Sequence, residues 1–282
     1  MSLMARFSLH TTHDDTEPHR FEVYELTLSD DALVEDLARE VRALYLDDDF
    51  DEVLQQAARD LDAVSDPDAM RELLASAAQS TIPAPAQRTS QPWLDTARNE
   101  LGEVLCYAAL EELFSATLPA KRIRHKEVPQ LPSRGMDAFA LADDSTAAHA
   151  LRLYLSETKS SSDAASPPTV VDQTSDSLHQ QLLDAVRTRT KVASELSRAL
   201  KYTSGAERNR VARAMVLWAK AELATTVVPF LLRPKDRHGE DDFGAFRDDP
   251  STFDPAHVAF CLVRIDGTIE TLSQDVYQRA RA

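Results

Sequence analysis

Apolar positions along the chain fall at two periods. Over 19–28 (HRFEVYELTL) they alternate, which predicts a strand with one buried face. Over 31–46 they stand at Leu33, Val34, Leu37, Val41, Leu44 and Leu46, the spacing of one helix face, with Ser29-Asp30-Asp31 offering an N-cap. Further helices are predicted over 50–61 and 66–78, the second capped by Ser65. The polar residues 5–20 read as partly irregular. Residues 81–92 (TIPAPAQRTSQP) read as a linker, and a long helix follows over 93–114. Later in the chain the pattern predicts one helix over 178–200, another over 206–225, strands over 226–232 and 257–265, and a short closing helix. Pro229 has no N–H for a ladder, so the first of those strands is expected at a sheet edge or distorted. Strands interleaved with helices predict an α/β (α+β) fold. The linker divides it into a helix-rich region, 1–90, and a larger module, 91–282.

The stretch 134–159, RGMDAFALADDSTAAHALRLYLSETK, carries the candidate chemistry. Two short apolar runs, 136–141 and 150–155, flank a polar turn and predict a β-hairpin. The second run ends in Ser156-Glu157-Thr158-Lys159. Side chains alternate along a strand, so Glu157 and Lys159 share a face. Charges at the end of an apolar strand need a partner, a metal or a cleft. Asp137 begins the neighbouring strand, where antiparallel pairing brings it close to Glu157. Two carboxylates at strand ends supply hard oxygen donors for Mg²⁺, and a lysine beside them can orient water and hold a phosphate. An acid two places before a lysine is a weak signal alone. With 47 acids and 7 lysines, about one such pair arises by chance. Here Glu157 and Lys159 are the only such pair, and their context gives them weight. Upstream, the 93–114 helix places Glu103 on an otherwise apolar face with Leu101, Leu105, Ala109 and Leu110.

Asp137 followed by Glu157-Thr158-Lys159 resembles the D…(D/E)xK signature of the PD-(D/E)xK, restriction-endonuclease-like nucleases. Asn99-Glu100-Leu101-Gly102-Glu103-Val104-Leu105 is similar to that superfamily's first core helix, with Glu103 at the position of its inward glutamate. Within the superfamily the Gly-Glu helix, the Arg-Gly-x-Asp strand and the ExK strand resemble the HamA family of the Hachiman anti-phage defence system. The resemblance implies a mixed sheet flanked by helices and a Mg²⁺- or Mn²⁺-dependent phosphodiesterase. It implies metal ligation by Glu103, Asp137 and Glu157, with Lys159 positioning the attacking water. It also implies DNA as substrate and a HamB-like helicase partner.

Charge sharpens this reading. The formal net charge is −16, but residues 1–90 hold 20 acids against 7 bases and residues 91–282 hold 27 against 24. The acidity of the first region reads as solubility, or as a surface that meets a partner or competes with nucleic acid. Two basic stretches are candidate nucleic-acid contacts: Lys121, Arg122, Arg124 and Lys126, leading into the hairpin, and Arg187, Lys191 and Arg198 on the helix predicted over 178–200. Residues 160–176 read as a loop and candidate lid. The three aspartates at 47–49 lack EF-hand spacing and read as a solvated loop. Cys106 and Cys261 have no metal-type spacing, and Cys106 reads as a small core residue. With no signal-peptide pattern and no long apolar run, the expectation is a cytoplasmic protein. There is no GxGxxG or Walker A motif, so ATP-driven work falls to a partner. The alternatives are a non-catalytic nucleic-acid-binding scaffold on a nuclease-like fold, and a nuclease outside defence.

Overall fold

A computed structural model describes residues 7–13, 18–26, 31–46, 50–60, 67–85, 95–126 and 135–282. Thr27, Leu28, Ser29, Asp30, the aspartates at 47–49, Leu61, Ser65, Asp66, Trp93, Arg134 and most of the linker lie outside the described residues.

Among the described residues six strands build one mixed sheet. In chain order they are β1 (Phe7–His13), β2 (Arg20–Leu26), β3 (Ala138–Asp143), β4 (Leu151–Ser160), β5 (Ala224–Pro234) and β6 (His257–Ile265). In space they run β1-β2-β6-β5-β4-β3. The four inner strands run parallel to one another, and β1 and β3 pair antiparallel at the two edges. One face is covered by α1 (Asp31–Leu46), α4 (Thr96–Leu113) and α10 (Ile269–Ala280), with α2 (Phe50–Asp60) and α3 (Pro67–Thr81) following α1 in the chain. The other face is covered by α6 (Leu178–Arg187), α7 (Arg189–Tyr202) and α8 (Gly205–Lys220). Two four-residue helices, α5 (Thr169–Asp172) and α9 (Ala245–Asp248), also form. Alternation along β5 divides the core. Val228, Phe230 and Leu232 face the α4 side, whereas Val227 and Leu231 face the α6 side. A strand buried on both faces reads as a continuous apolar run, as β5 does.

The mixed sheet flanked by helices matches the expected fold class. Three local readings change, and the reading of Pro229 as an edge or a distortion resolves to the distortion. The polar segment read as partly irregular supplies β1, an edge strand without a fully buried residue, so no burial pattern marked it. Pro229 lies in an inner strand, not at an edge, and distorts the ladder there. The β5–β6 pairing runs through Thr226–His257 and Val227–Val258 and resumes only at Phe230–Cys261. The helix predicted over 178–200 is two helices broken at Thr188. The break is clamped from outside: Trp218 Nε1 donates to the Arg189 carbonyl at 2.9 Å, and Arg189 Nη2 donates to the Trp218 carbonyl at 2.6 Å. The helix predicted to reach 225 ends at Lys220, where left-handed Ala221 turns the chain into β5. The 160–176 loop contains α5 and is tied to the start of α9, with Asp172 accepting from the Ala245 N–H at 2.9 Å.

The first ninety residues share this core. Their β2 pairs with β6, and Leu33, Leu37 and Val41 of α1 pack in one cluster with Leu101, Leu105 and Tyr277.

Helix α4 lies very close to β4. A Cβ added at Gly102 would stand 2.8 Å from Thr158 Cγ2 and 3.1 Å from Ser160 Oγ. Buried Arg98 on the same helix donates from both Nη atoms to the Ser160 carbonyl at 3.3 Å, and its Nε meets Glu270 Oε1 of α10 at 2.7 Å. The N-cap is Asp95, whose side chain accepts from the Arg98 N–H. Gly102→Val should therefore wedge α4 from the sheet. The expected cost is roughly 1–3 kcal/mol of stability, read as a lower urea midpoint. An unchanged midpoint would show that the helix shifts freely.

Candidate active site

The β3–β4 register builds the centre. Ala138 pairs with Ser156, so the next antiparallel pair outward is Asp137 opposite Glu157. Asp137 Oδ2 accepts from the Thr158 N–H at 2.8 Å, which fixes the carboxylate against β4. Glu103 arrives from α4, placed by the Gly102 contact one residue earlier. Tyr107, one turn on, donates to Glu103 Oε2 at 3.4 Å and lies 3.3 Å from the Asp137 carbonyl. Glu103 is 7% exposed and Glu157 6%. Lys159 is half-buried, and its charge acts on Glu157.

A further side chain completes the cluster. Arg122 Nη2 donates to Glu103 Oε1 at 2.8 Å and to Asp137 Oδ1 at 2.5 Å, and its Nη1 donates to the Gly135 carbonyl at 2.7 Å. It stands on a 3-10 turn, Arg122–His125, anchored by buried Ile123. Gly135 has φ +111°, and a Cβ there would meet Glu195 Oε1 at 2.6 Å and Arg198 Nη1 at 3.1 Å, so glycine is required.

Below this cluster lies a second buried acid. Glu100 pairs with Lys126 and accepts from Tyr45 Oη at 2.6 Å and Tyr277 Oη at 3.2 Å. Burial raises its carboxyl, and Lys126 opposes that rise. Cys106 is a core residue: its Sγ is 3.1 Å from Ser156 Oγ, and burial pushes the thiol up to about 12.

Three carboxylates meet two cations here, and burial is the largest influence on the proton affinities of the two glutamates. Burial and the neighbouring Asp137 push Glu103 up to about 8 against the pull of Arg122. Burial and Asp137 likewise hold Glu157 well above the usual carboxylate range, with Arg122 and Lys159 opposing. Arg122 stays charged because Asp137 and Glu103 face it. Carboxylates are hard oxygen donors, the type of ligand a divalent cation takes. The cation now bridging Glu103 and Asp137 is the guanidinium. Among the described residues no group of three His, Cys, Asp or Glu is set to hold a metal in this arrangement.

Glu103, Asp137, Glu157 and Lys159 thus lie in one region. The basic residues divide differently. Arg122 and Lys126, expected toward phosphates, turn inward onto Glu103, Asp137 and Glu100, because buried carboxylates need counter-charges. Lys121 pairs with Glu111 at 2.9 Å. Arg124 is exposed on the same turn. Arg187 and Lys191 are exposed at the adjoining ends of α6 and α7. Arg198 pairs with Glu195 at 2.9 Å beside Gly135, two residues before Asp137. Sequence reasoning missed Tyr107 and the role of Arg122. Tyr107 follows Glu103 at i+4, a spacing that brings helical side chains together. Nothing in the local sequence of Arg122 marks it as buried.

The family model for HamA matches residues 4–209, about three-quarters of the chain, a span within which the four candidate catalytic residues lie. The chain belongs to the HamA family. HamA is a component of the Hachiman anti-phage defence system, and membership implies a HamB partner. The HamA match ends within α8, so β5, β6 and α10 lie beyond it. No curated protein matches the sequence. No helix among the described residues is long and apolar enough to cross a membrane.

The electrostatics give a signed prediction. Between about pH 4.5 and 8 the folded chain holds a proton on Glu103 that the unfolded chain releases. Stability without metal is therefore greatest at low pH in this window and falls as pH rises, by up to about 1.4 kcal/mol per unit for one proton. Glu103→Gln should flatten that slope. Urea denaturation in chelator from pH 5 to 9 measures it, and a slope unchanged by the substitution would refute the assignment.

Proposed function

We propose that this chain is a metal-dependent nuclease that hydrolyses phosphodiester bonds, a DNase of Hachiman defence that works with a HamB-like helicase. One observation carries the reading: Asp137 and Glu157 stand opposite each other at the β3–β4 margin, with Glu103 tied to Asp137 through Arg122 and Lys159 on the Glu157 strand. Glu103, Asp137 and Glu157 would hold Mg²⁺ or Mn²⁺, which when bound lowers the pKa of water and offsets charge on a phosphate. The chain's own residues supply the rest. The Thr158 N–H and Tyr107 hold Asp137 and Glu103 in place. Lys159, half-buried beside Glu157, is the donor that orients the attacking water and steadies the developing charge. Exposed Arg187 and Lys191, with Arg198 near Gly135, suit a phosphate backbone laid along α7.

A specific observation favours the rival reading, a nucleic-acid-binding scaffold without catalysis: the guanidinium of Arg122 already occupies two of the three carboxylates.

Chemistry and scaffolding separate on mutation. Glu157→Ala and Lys159→Ala should leave the fold and partner co-purification intact while abolishing plasmid degradation and phage protection in Mg²⁺. Lys159→Arg should also fail, since a planar guanidinium does not replace a compact ammonium. Folded Glu157→Ala that still protects cells fully would transfer the function to the scaffold. Charge reversal at Arg187 and Lys191 should weaken DNA binding at every sequence. Each lost contact should lower the salt slope by roughly 0.9; an unchanged slope would place the binding surface elsewhere.

A further inference from the structure

We propose that Arg122 is an internal counter-ion that competes with divalent metal for the Glu103–Asp137 pair, so that the guanidinium must leave before metal can load. The inference rests on the nuclease reading and adds a step to it.

The geometry is that of an occupied cation site. One nitrogen, Arg122 Nη2, touches an oxygen of each carboxylate, at 2.8 and 2.5 Å, and sits where a cation bound by both would sit. The other terminal nitrogen bonds the Gly135 carbonyl at 2.7 Å, so the guanidinium spans the gap between α4 and the strand carrying Asp137. A divalent ion needs those same oxygens at about 2.0–2.6 Å. It cannot share them with a guanidinium, because two cations at contact distance in a site with little water repel strongly. Arg122 brings one positive charge to the pair, and a divalent ion in its place would bring two.

The surroundings allow the side chain to leave without unfolding its turn. The 3-10 turn is held by other contacts: buried Ile123, Lys126 on Glu100, Lys121 on Glu111, and the His125 ring stacked on Tyr202 with centroids 3.6 Å apart. Asp137 keeps its bond from the Thr158 N–H and Glu103 its bond from Tyr107. The closed arrangement also carries a defect: Arg122 Nε is buried without a hydrogen-bond partner among the described residues, a cost that ends when the side chain reaches water. Arg122 is here a positioning residue, and its effect is read in metal affinity.

The experiment is calorimetric titration of the full chain with Mn²⁺, for wild type, Arg122→Gln and Glu103→Gln. Arg122→Gln should bind Mn²⁺ at least about tenfold more tightly than wild type, a difference of roughly 1.4 kcal/mol. Glu103→Gln should bind far more weakly. If Arg122→Gln binds no more tightly than wild type while Glu103→Gln is impaired, the competition is wrong and the metal site stands. If all three bind alike, or none binds at millimolar Mn²⁺, the metal reading itself falls and the inference with it. Should Arg122→Gln fail to fold, Arg122→Lys is read by the same criterion, because a single ammonium cannot span both carboxylates and the Gly135 carbonyl.

Discussion

The close seating of α4 on β4 is the contact on which the site depends. Gly102 removes the side chain that would hold the two apart, and Arg98 fastens the helix to the end of β4 and to α10. Everything acidic on that helix is then fixed by its phase. Glu103 follows Gly102 and faces the β3–β4 margin. Glu100, one turn back, falls inside a cage of Lys126, Tyr45 and Tyr277. The sheet contributes through the β3–β4 register, which brings Asp137, immediately before β3, level with Glu157.

Such packing forces like charges together in a medium that tolerates them poorly. The structure answers with counter-charges from one short turn. Arg122 and Lys126, four residues apart on that turn, each serve a different buried acid. Their partners show two kinds of compensation. Glu100 has one cation and two phenols to itself, a closed set that suits a structural role. Glu103 and Asp137 share a single guanidinium, with Glu157 close by.

Much of this was legible in the sequence. The helix over 31–46 and the strand over 257–265 appear with the bounds their periodicity gave, since each buries one clear face or both. The Asp137–Glu157 juxtaposition followed from two apolar runs about a polar turn. What could not be read was non-local. β1 has no buried face to impose a pattern. The break at Thr188 is made by Trp218, thirty residues on, and no glycine or proline announces it. Pro229 is tolerated in an inner strand because the β6 ladder skips that level. The basic run 121–126 reads by composition as a contact for phosphates, and only the tertiary fold reveals that two of its charges are drawn inward.

The strand order has a consequence for how the chain becomes a protein. β2 is made among the first residues, yet its parallel neighbour is β6, close to the end of the chain. The family match stops at 209, before either β5 or β6. The matched stretch therefore holds two strand pairs, β1–β2 and β3–β4, that do not adjoin in the sheet, although α1 and α4 of the same stretch pack together. β5 and β6, beyond residue 209, join them through contacts of very long sequence separation, whose formation is slow. The carboxylate cluster thus acquires its finished framework only once β5 and β6 are in place, and the part of the chain outside the family match governs when the matched part is assembled.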